Sequence, residues 1–313
     1  MKEKPFISVV VYLYNNEDEI AHFLKSIDSI LHKNFENYEV IMVNDASTDK
    51  TFERVKEAIQ NISADVSIIN LTRKHNVEIA MMAGTDKSIG DYVFEMDSPI
   101  IDYPMELVFD IYKKAIGGYD IVAAVPNVRI AWTSKLFYAL INKFSYWEIN
   151  LTPESFRIVS RRALNSILNI TEKTRYRKGI HSYIGFLKTK VRYDKINKKS
   201  AIMKRNIYDK IVLGLDILIS FTNIANLIAI YLSVILLFFS IGIGIYALYS
   251  LIFLENIAGS GWASIISFLS IAFSGIFFIL GIVSNYTSKI LIEVQNRPLY
   301  NIKSIEMHHS EKL

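Results

Sequence analysis

Residues 7–16 read "ISVVVYLYNN". An almost unbroken apolar run, Ile7 to Leu13, stops abruptly at Tyr14, Asn15 and Asn16. A continuous run, rather than an alternating one, marks a strand buried on both faces. A helix start follows. Asn15 or Asn16 is placed to cap a helix through Leu31, and Glu17, Asp18 and Glu19 favour the positive end of its dipole.

The same unit recurs along the first 125 residues. "YEVIMVN" (38–44) is a second strand, and Ser47, Thr48 or Asp49 caps a helix after it. "VSIINL" (66–71) is a third strand, followed by a helix over about 77–88. "YVFEM" (92–96) is a fourth. Met105 to Ile116 is helical, "GG" (117–118) ends it, and "DIVAAV" (120–125) is a fifth strand. Strands alternating with helices at this spacing predict an α/β domain with a parallel sheet covered on both faces. Ligands of such sheets lie beyond the carboxyl ends of the strands. Polar residues collect there: Tyr14 and Asn15, Asn44 and Asp45, Arg73, and Asp97. Each alone is most simply a turn former or helix cap; four strand ends meeting at one edge favour a binding site.

The second half has a different character. No Asp, Glu, Lys or Arg occurs from Ile217 to Leu254, nor from Asn256 to Ser288. A helix needs roughly 20 apolar residues to cross a bilayer, so each run suffices for one crossing. Two buried helices of a soluble core are the alternative, but such a core rarely lacks charge over this length. The mean hydropathy of +0.24 agrees with spans. The chain therefore divides into a domain over 1–204, a juxtamembrane amphipathic segment over 205–222, spans over 224–254 and 262–284, and a tail over 285–313. Lys188, Lys190, Arg192, Lys195, Lys198, Lys199, Lys204, Arg205 and Lys210 precede the first span, and Lys289, Arg297 and Lys303 follow the second. The connecting loop has neither Lys nor Arg. The positive-inside rule then places both termini and the α/β domain in the cytoplasm, at an inner or plasma membrane crossed twice. The N-terminal apolar stretch runs straight into polar residues and does not read as a signal peptide. There is no cysteine, which excludes disulfides and thiolate metal sites. The net charge of +4 is mild, and the basic run suits anionic headgroups rather than nucleic acid. Two segments, 134–144 and 205–220, have the spacing of amphipathic helices that could lie on a membrane surface. A transporter is disfavoured, because the spans carry no ionisable residue to line a path. Self-association is left open.

Five segments in order resemble the family 2 glycosyltransferases that use polyprenyl phosphate as acceptor, the group that includes bactoprenol glucosyltransferases and dolichyl-phosphate mannose synthase. "VVYLYNNEDEI" is similar to the family's VVPVYNEEENI, and "VNDASTDKT" to VDDGSTDGT. "LTRKHNVEIAMMAG" is similar to LSRNFGKEAALLAG, and "SFRIVSRRALNSI" to DFRLLSRRVVDAL. "NRPLYNIKS", after the second span, resembles RRPLYIVKE. The resemblance implies a GT-A fold (Rossmann-like), a UDP- or GDP-linked sugar as donor, polyprenyl phosphate (undecaprenyl or dolichyl) as acceptor, inversion at the anomeric carbon, and a place in cell-surface glycan assembly. It implies that Tyr14, Asn15, Glu17, Asp45, Arg73 and Asp97 border the nucleotide sugar. Arg129, Ser134 and Arg205 would hold the acceptor phosphate, and Arg157 and Ser155 would stand beside the reacting centre with Asp97.

The metal motif departs from the family. Against MDADLQDPP this chain has "MDSPIIDYP" (96–104). Asp97, Asp102 and Pro104 keep the pattern, while Pro99 and Ile101 replace an aspartate and a glutamine and offer no side-chain oxygen. Ser155 stands where the family has aspartate, and in "AIMKRNIY" (201–208) Ala201 and Lys204 replace arginine and glycine. The expected cofactor is thus Mg2+ or Mn2+ held weakly at Asp97, only with nucleotide present. Strand alternation would point Glu95 the same way as Asp97. Two readings follow: a divergent enzyme, or a relative that has lost catalysis and binds nucleotide sugar or lipid, or scaffolds an assembly.

Overall fold

The computed structural model describes residues 2–128, 154–170, 177–196, 224–253 and 261–309, with Ala139 and Lys143. It divides into two compact units. One comprises Met1–Asn142, Trp147–Arg205 and Pro298–Leu313; the other comprises Lys143–Tyr146 and Asn206–Arg297.

The first unit is built on an eight-stranded sheet. Its strands are β1 (Ile7–Leu13), β2 (Tyr38–Asn44), β3 (Asp65–Leu71), β4 (Tyr92–Met96), β5 (Ile121–Pro126), β6 (Phe156–Ser160), β7 (Lys188–Tyr193) and β8 (Ile302–His308). The helices are α1 (Ile20–Asn34), α2 (Thr51–Ala58), α3 (Val77–Lys87), α4 (Glu106–Ile116), α5 (Arg161–Leu168) and α6 (Arg177–Tyr183). The strand order is β7-β5-β6-β4-β1-β2-β3-β8.

The sheet is mixed, where the strand-helix alternation predicts a parallel one. β1 pairs in parallel with β2 and β4, β2 with β3, and β5 with β7. β6 runs antiparallel to β4 and β5, and β8 antiparallel to β3. The reversal of β6 has a consequence for the site. It brings the amino end of β6, with Ser155 and Arg157, to the edge where β4 ends at Met96, just before Asp97.

Alternate residues of the central strands enter two cores. Val9, Val11, Leu13, Val40 and Met42 pack with Phe23, Leu24 and Ile27 of α1 and Val108, Ile111 and Tyr112 of α4. Val10, Tyr12, Ile41 and Val43 pack with Ala80, Met81 and Ala83 of α3 and Leu164 of α5. Because both faces are covered, the strands read as solid apolar runs. α3 comes so close to the sheet that a Cβ on Gly84 would lie 2.3 Å from Val10 Cγ1 and 2.7 Å from Val43 Cγ2.

α1 differs from its expectation. It begins at Ile20, has no side-chain cap, and continues to Asn34. Asn16 instead accepts the Tyr14 N–H through its side chain at 3.0 Å, and the Ile20 N–H through its carbonyl at 3.2 Å. Its hydrogen-bonding capacity is spent on shaping the loop. At α2, Asp49 accepts the Thr51 N–H at 3.0 Å and the Thr51 hydroxyl at 2.6 Å, which fixes the first turn.

The two edges are different. β7 exposes Lys188, Lys190 and Arg192, so three residues of the expected membrane collar belong to an edge strand, where charge discourages pairing with another chain. The other edge is closed by β8, within the stretch expected to be a tail. Asn70 Nδ2 donates to Ser304 Oγ at 3.0 Å, Lys56 pairs with Glu306 at 2.9 Å, and the Thr72 N–H reaches the Asn301 carbonyl at 3.0 Å.

The second unit holds α7 (Ile224–Phe253) and α8 (Gly261–Gln295). Leu227–Tyr246 and Phe268–Gln295 are long and apolar enough to cross a membrane. Phe239 and Phe268 meet with ring centroids 6.0 Å apart, and a Cβ on Gly275 would lie 2.3 Å from Leu236 Cδ1. α8 continues past residue 284, the expected end of the second span. The amphipathic segments expected over 134–144 and 205–220 lie outside the described residues, apart from Ala139 and Lys143.

Candidate active site at the carboxyl edge of the sheet

Two clusters stand at this edge, on either side of β1. The first joins the loops after β1, β2 and β3. Asp45 is fully buried. Its Oδ2 accepts the Tyr12 hydroxyl at 3.1 Å and its Oδ1 accepts the His75 N–H at 2.8 Å. The His75 ring lies alongside, with Nδ1 at 3.5 Å from Asp45 Oδ1, and neither ring nitrogen has a hydrogen-bond partner among the described residues. Asn15 adopts a left-handed backbone (φ 53) and exchanges bonds with the next loop. Its N–H donates to Ser47 Oγ at 3.1 Å, and its Oδ1 accepts the Thr48 N–H at 2.8 Å. Glu17 accepts the Lys50 N–H at 2.9 Å. Burial raises the Asp49 carboxyl, but hydrogen bonds from Thr51 and from the Glu17 N–H outweigh it and leave the group below its ordinary value. Tyr14 is half-buried, with Lys74 Nζ 3.7 Å from its ring centroid, and Arg73 is exposed. Asn15 and Glu17 therefore stitch two loops together, and the buried Asp45 anchors a third.

The second cluster is ionic and almost dry. Glu95 and Arg157 are cross-strand partners, both about 1% exposed. Arg177, at the start of α6, is equally buried and reaches three carboxylates. Its Nε and its backbone N–H donate to Glu78 Oε2 at 3.1 and 3.0 Å. One terminal nitrogen donates to Glu95 Oε2 at 2.8 Å and the other to Asp97 Oδ1 at 2.6 Å. Arg157 lies 3.7 Å from Asp97 Oδ2, 3.6 Å from Glu95 Oε2 and 3.2 Å from Glu154 Oε2, and it contacts His181 Nδ1 at 3.2 Å. Burial works against charge on both arginines. For Arg157 the carboxylates of Glu154, Asp97 and Glu95 outweigh it; for Arg177 those of Asp97, Glu78 and Glu95 do, and both guanidinium groups are held above their ordinary value. Glu95 and Asp97 thus share a face, as alternation along β4 requires.

A third network ties down the loop over 97–104. Tyr193, at the end of β7, donates its hydroxyl to Asp102 Oδ1 at 2.9 Å and contacts the Ser155 hydroxyl. Lys195 pairs with Asp102 Oδ2 at 2.5 Å, and the Ile196 N–H reaches the Asp102 carbonyl at 3.0 Å. Burial and the Asp102 carboxylate push the Tyr193 phenol up. Asp102 is therefore a structural anchor.

Sequence reasoning named Asp97, Arg157 and Ser155, and the structure brings them to one edge. It did not name Arg177, Glu78, Glu154 or His181. These lie far from Asp97 along the chain, and Arg177 sits in "RYRKGIHSY" (175–183), where it reads as one more surface cation. Only the alternation of Glu95 with Asp97 signalled that a second carboxylate would need a partner. Arg129, Ser134 and Arg205, expected at the acceptor phosphate, lie outside the described residues.

A divalent ion does not fit these carboxylates. Both oxygens of Asp97 face guanidinium nitrogens. An ion on Asp97 would have to displace guanidinium groups that already hold both carboxylate oxygens. Pro99 is buried and brings no oxygen, and the Ser155 hydroxyl is engaged by Tyr193. Among the described residues no three His, Asp or Glu side chains form a metal-ligating group.

Comparison with known proteins adds the lineage. The family described as "Glycosyl transferase family 2" matches residues 8–168. An uncharacterized glycosyltransferase of Synechocystis sp. is 30% identical over 309 residues, covering 96% of this chain and 95% of the relative. The bactoprenol glucosyl transferase of Shigella phage SfII is 29% identical over 305 residues, covering 95% of this chain and 97% of the relative. In fold, the chain resembles the glucosyl-3-phosphoglycerate synthase of Mycobacterium tuberculosis, solved with Mn2+, UDP-glucose and phosphoglyceric acid. The TM-score is 0.50 at 18% identity, covering 69% of this chain and 78% of that one.

Proposed function

The chain belongs to glycosyl transferase family 2, and from that membership we propose that it transfers a sugar from a nucleotide-sugar donor to a polyprenyl phosphate at a membrane surface. The observation that carries this reading is the match to a phage bactoprenol glucosyl transferase over 95% of this chain and 97% of that one, a span too long to be confined to the sheet domain without the two apolar helices.

The chemistry suits the architecture. A polyprenyl phosphate presents its phosphate at headgroup depth, so the domain that reads it has to be held there. α7 and α8 supply an anchor of the needed length. A phosphate oxygen of the acceptor attacks the anomeric carbon as the bond to the donor diphosphate breaks, with inversion. The products are a polyprenyl-phosphate sugar and a nucleoside diphosphate. The attacking oxygen is already anionic, so a strong general base is dispensable. The heavier demand is to stabilise charge on the leaving diphosphate, best met by groups that are fixed beforehand. In this reading Asp45, with Tyr14 and Asn15, borders the nucleotide. Asp97 faces the diphosphate, Arg157 and Arg177 fix Asp97, and Arg129, Ser134 and Arg205 receive the acceptor phosphate.

Two facts support a second reading, that of a relative without catalysis: Pro99 has no ligand oxygen, and Asp97 is already paired. One assay separates the two. Purified full-length protein in detergent is given polyprenyl phosphate with UDP- or GDP-linked sugars, and the lipid is analysed by mass spectrometry. Transfer is expected, giving a lipid heavier by one sugar. Neither transfer nor donor hydrolysis with any donor would establish the non-catalytic reading.

The membrane arrangement follows from the connectivity. β8 belongs to the same sheet as β1–β7. If α7 and α8 both cross, residues 298–309 return to the side on which β1–β7 lie. The charge distribution supports a cytoplasmic position for that side. A tag at Gly259 is expected to be labelled from outside intact cells, and tags at either terminus only after permeabilisation. The reverse pattern would overturn the orientation.

A further inference from the structure

We propose that this chain binds the donor diphosphate without a divalent ion, because Arg157 and Arg177 already hold both oxygens of Asp97, the carboxylate that faces it. The inference rests on the nucleotide-sugar reading above and deepens it.

A diphosphate that approaches a carboxylate needs positive charge nearby. That charge can come from an ion lying between the two anions, or from cations fixed behind the carboxylate. The structure has the second arrangement. Asp97 is the outermost member of the ionic cluster, with its side chain 29% exposed, while Glu95, Arg157 and Arg177 are each 1% exposed. Glu95 and Asp97 share the same two guanidinium groups, within a cluster that sets four carboxylates against two arginines. Arg177 spans both carboxylates with its two terminal nitrogens, at 2.8 Å to Glu95 and 2.6 Å to Asp97. Arg157 closes the other side, 3.6 Å from Glu95 and 3.7 Å from Asp97. The remaining carboxylates, Glu78 and Glu154, sit at the Nε edges of the two arginines and are partly open to solvent, at 16% and 14% exposure.

Three further features converge on the same conclusion. Guanidinium charge is permanent across the physiological range, so the pairing of Asp97 needs neither a bound ion nor a particular pH. The positions beside Asp97 offer an ion no free ligand: Pro99 is buried without a side-chain oxygen, and the Ser155 hydroxyl is engaged by Tyr193. Asp102 is locked by Tyr193 and Lys195. Arg157 and Arg177 are too deeply buried to wrap the diphosphate themselves. They are positioning residues that act through Asp97, setting its charge and its orientation.

The test reads metal dependence of binding rather than activity. UDP and GDP are titrated calorimetrically into the full-length protein in detergent, first with EDTA and then with Mn2+. One nucleotide is expected to bind with EDTA present, and Mn2+ to change its affinity less than twofold. Mn2+ alone is expected to give no binding. The Arg177→Gln variant releases one oxygen of Asp97, and its nucleotide affinity is expected to rise tenfold or more with Mn2+, a response that loss of a merely structural arginine would not produce. Tightening by Mn2+ of twofold or more in the unaltered protein overturns the inference and leaves the proposed function standing. Absence of any nucleotide binding, with or without Mn2+, overturns both. If Arg177→Gln does not fold, the titrations on the unaltered protein decide the matter alone.

Discussion

Replacing Arg177 by leucine is expected to destabilise the sheet domain by about 3–5 kcal/mol, the range for removing one partner of a buried ion pair. The cost arises from what is left behind. Glu95 would lose a hydrogen bond of 2.8 Å and keep Arg157 at 3.6 Å and His181 at 4.0 Å, Asp97 would lose one of 2.6 Å, and Glu78 would lose the Nε bond of 3.1 Å while keeping the backbone N–H. In a domain of this size each kcal/mol lowers Tm by about 2–4 °C, so a fall on the order of 10 °C is expected in thermal unfolding. The double variant Arg177→Leu with Glu95→Gln is expected to recover part of the loss, since it removes one stranded charge. A fall of less than about 3 °C for the single variant would mean that Arg177 does not hold these carboxylates.

Ending the chain after Arg297 is expected to cost about as much. β8 pairs with β3 at six register positions from Val66↔His308 to Leu71↔Ile302. At about 1 kcal/mol net per backbone hydrogen bond, the strand contributes about 4–6 kcal/mol. The truncated protein would also expose the outer edge of β3, "DVSIINL", whose last four residues are buried in the intact fold. An open apolar edge invites pairing between chains. Lower Tm together with concentration-dependent aggregation in light scattering is the expected result. An unchanged Tm and a monodisperse sample would show that β8 is dispensable.

The parts of the fold that could be read from the residues share a physical reason. β1, β2 and β4 are buried on both faces and bounded by turn formers, so their apolar runs begin and end with the strands themselves. β7 and β8 could not be read in this way. In "KTKVRY" and "IKSIEMH" exposed and half-buried residues alternate, because they lie at sheet edges with one side in solvent. Their charge looked like a membrane collar and a tail. β6 is fully buried, but its antiparallel course depends on contacts distant in sequence. The site divides similarly. Asp45 and Asp97 stand directly after strands and were visible as such. Arg177 and Glu78 become part of the site only because α3 and α6 meet there, and no local pattern announces that meeting. Asn15 and Glu17, expected beside the nucleotide, also carry the loop-to-loop bonds that hold the first cluster together.

The position of β8 also governs how the protein is made. Asn70 and Ser304, bonded across the β3–β8 seam, lie 234 residues apart in the chain. At the usual pace of about 5–20 residues per second, a ribosome needs roughly 10–50 s to travel that distance. During this time α7 and α8 emerge and enter whatever environment receives them, while the outer edge of β3 has no partner. The opposite edge is guarded by Lys188, Lys190 and Arg192 from the moment it forms. Newly made chains therefore pass through a stage with one protected border and one sticky border. The last strand closes that border only after both apolar helices have been synthesised, so a chain interrupted before β8 carries its own aggregation signal.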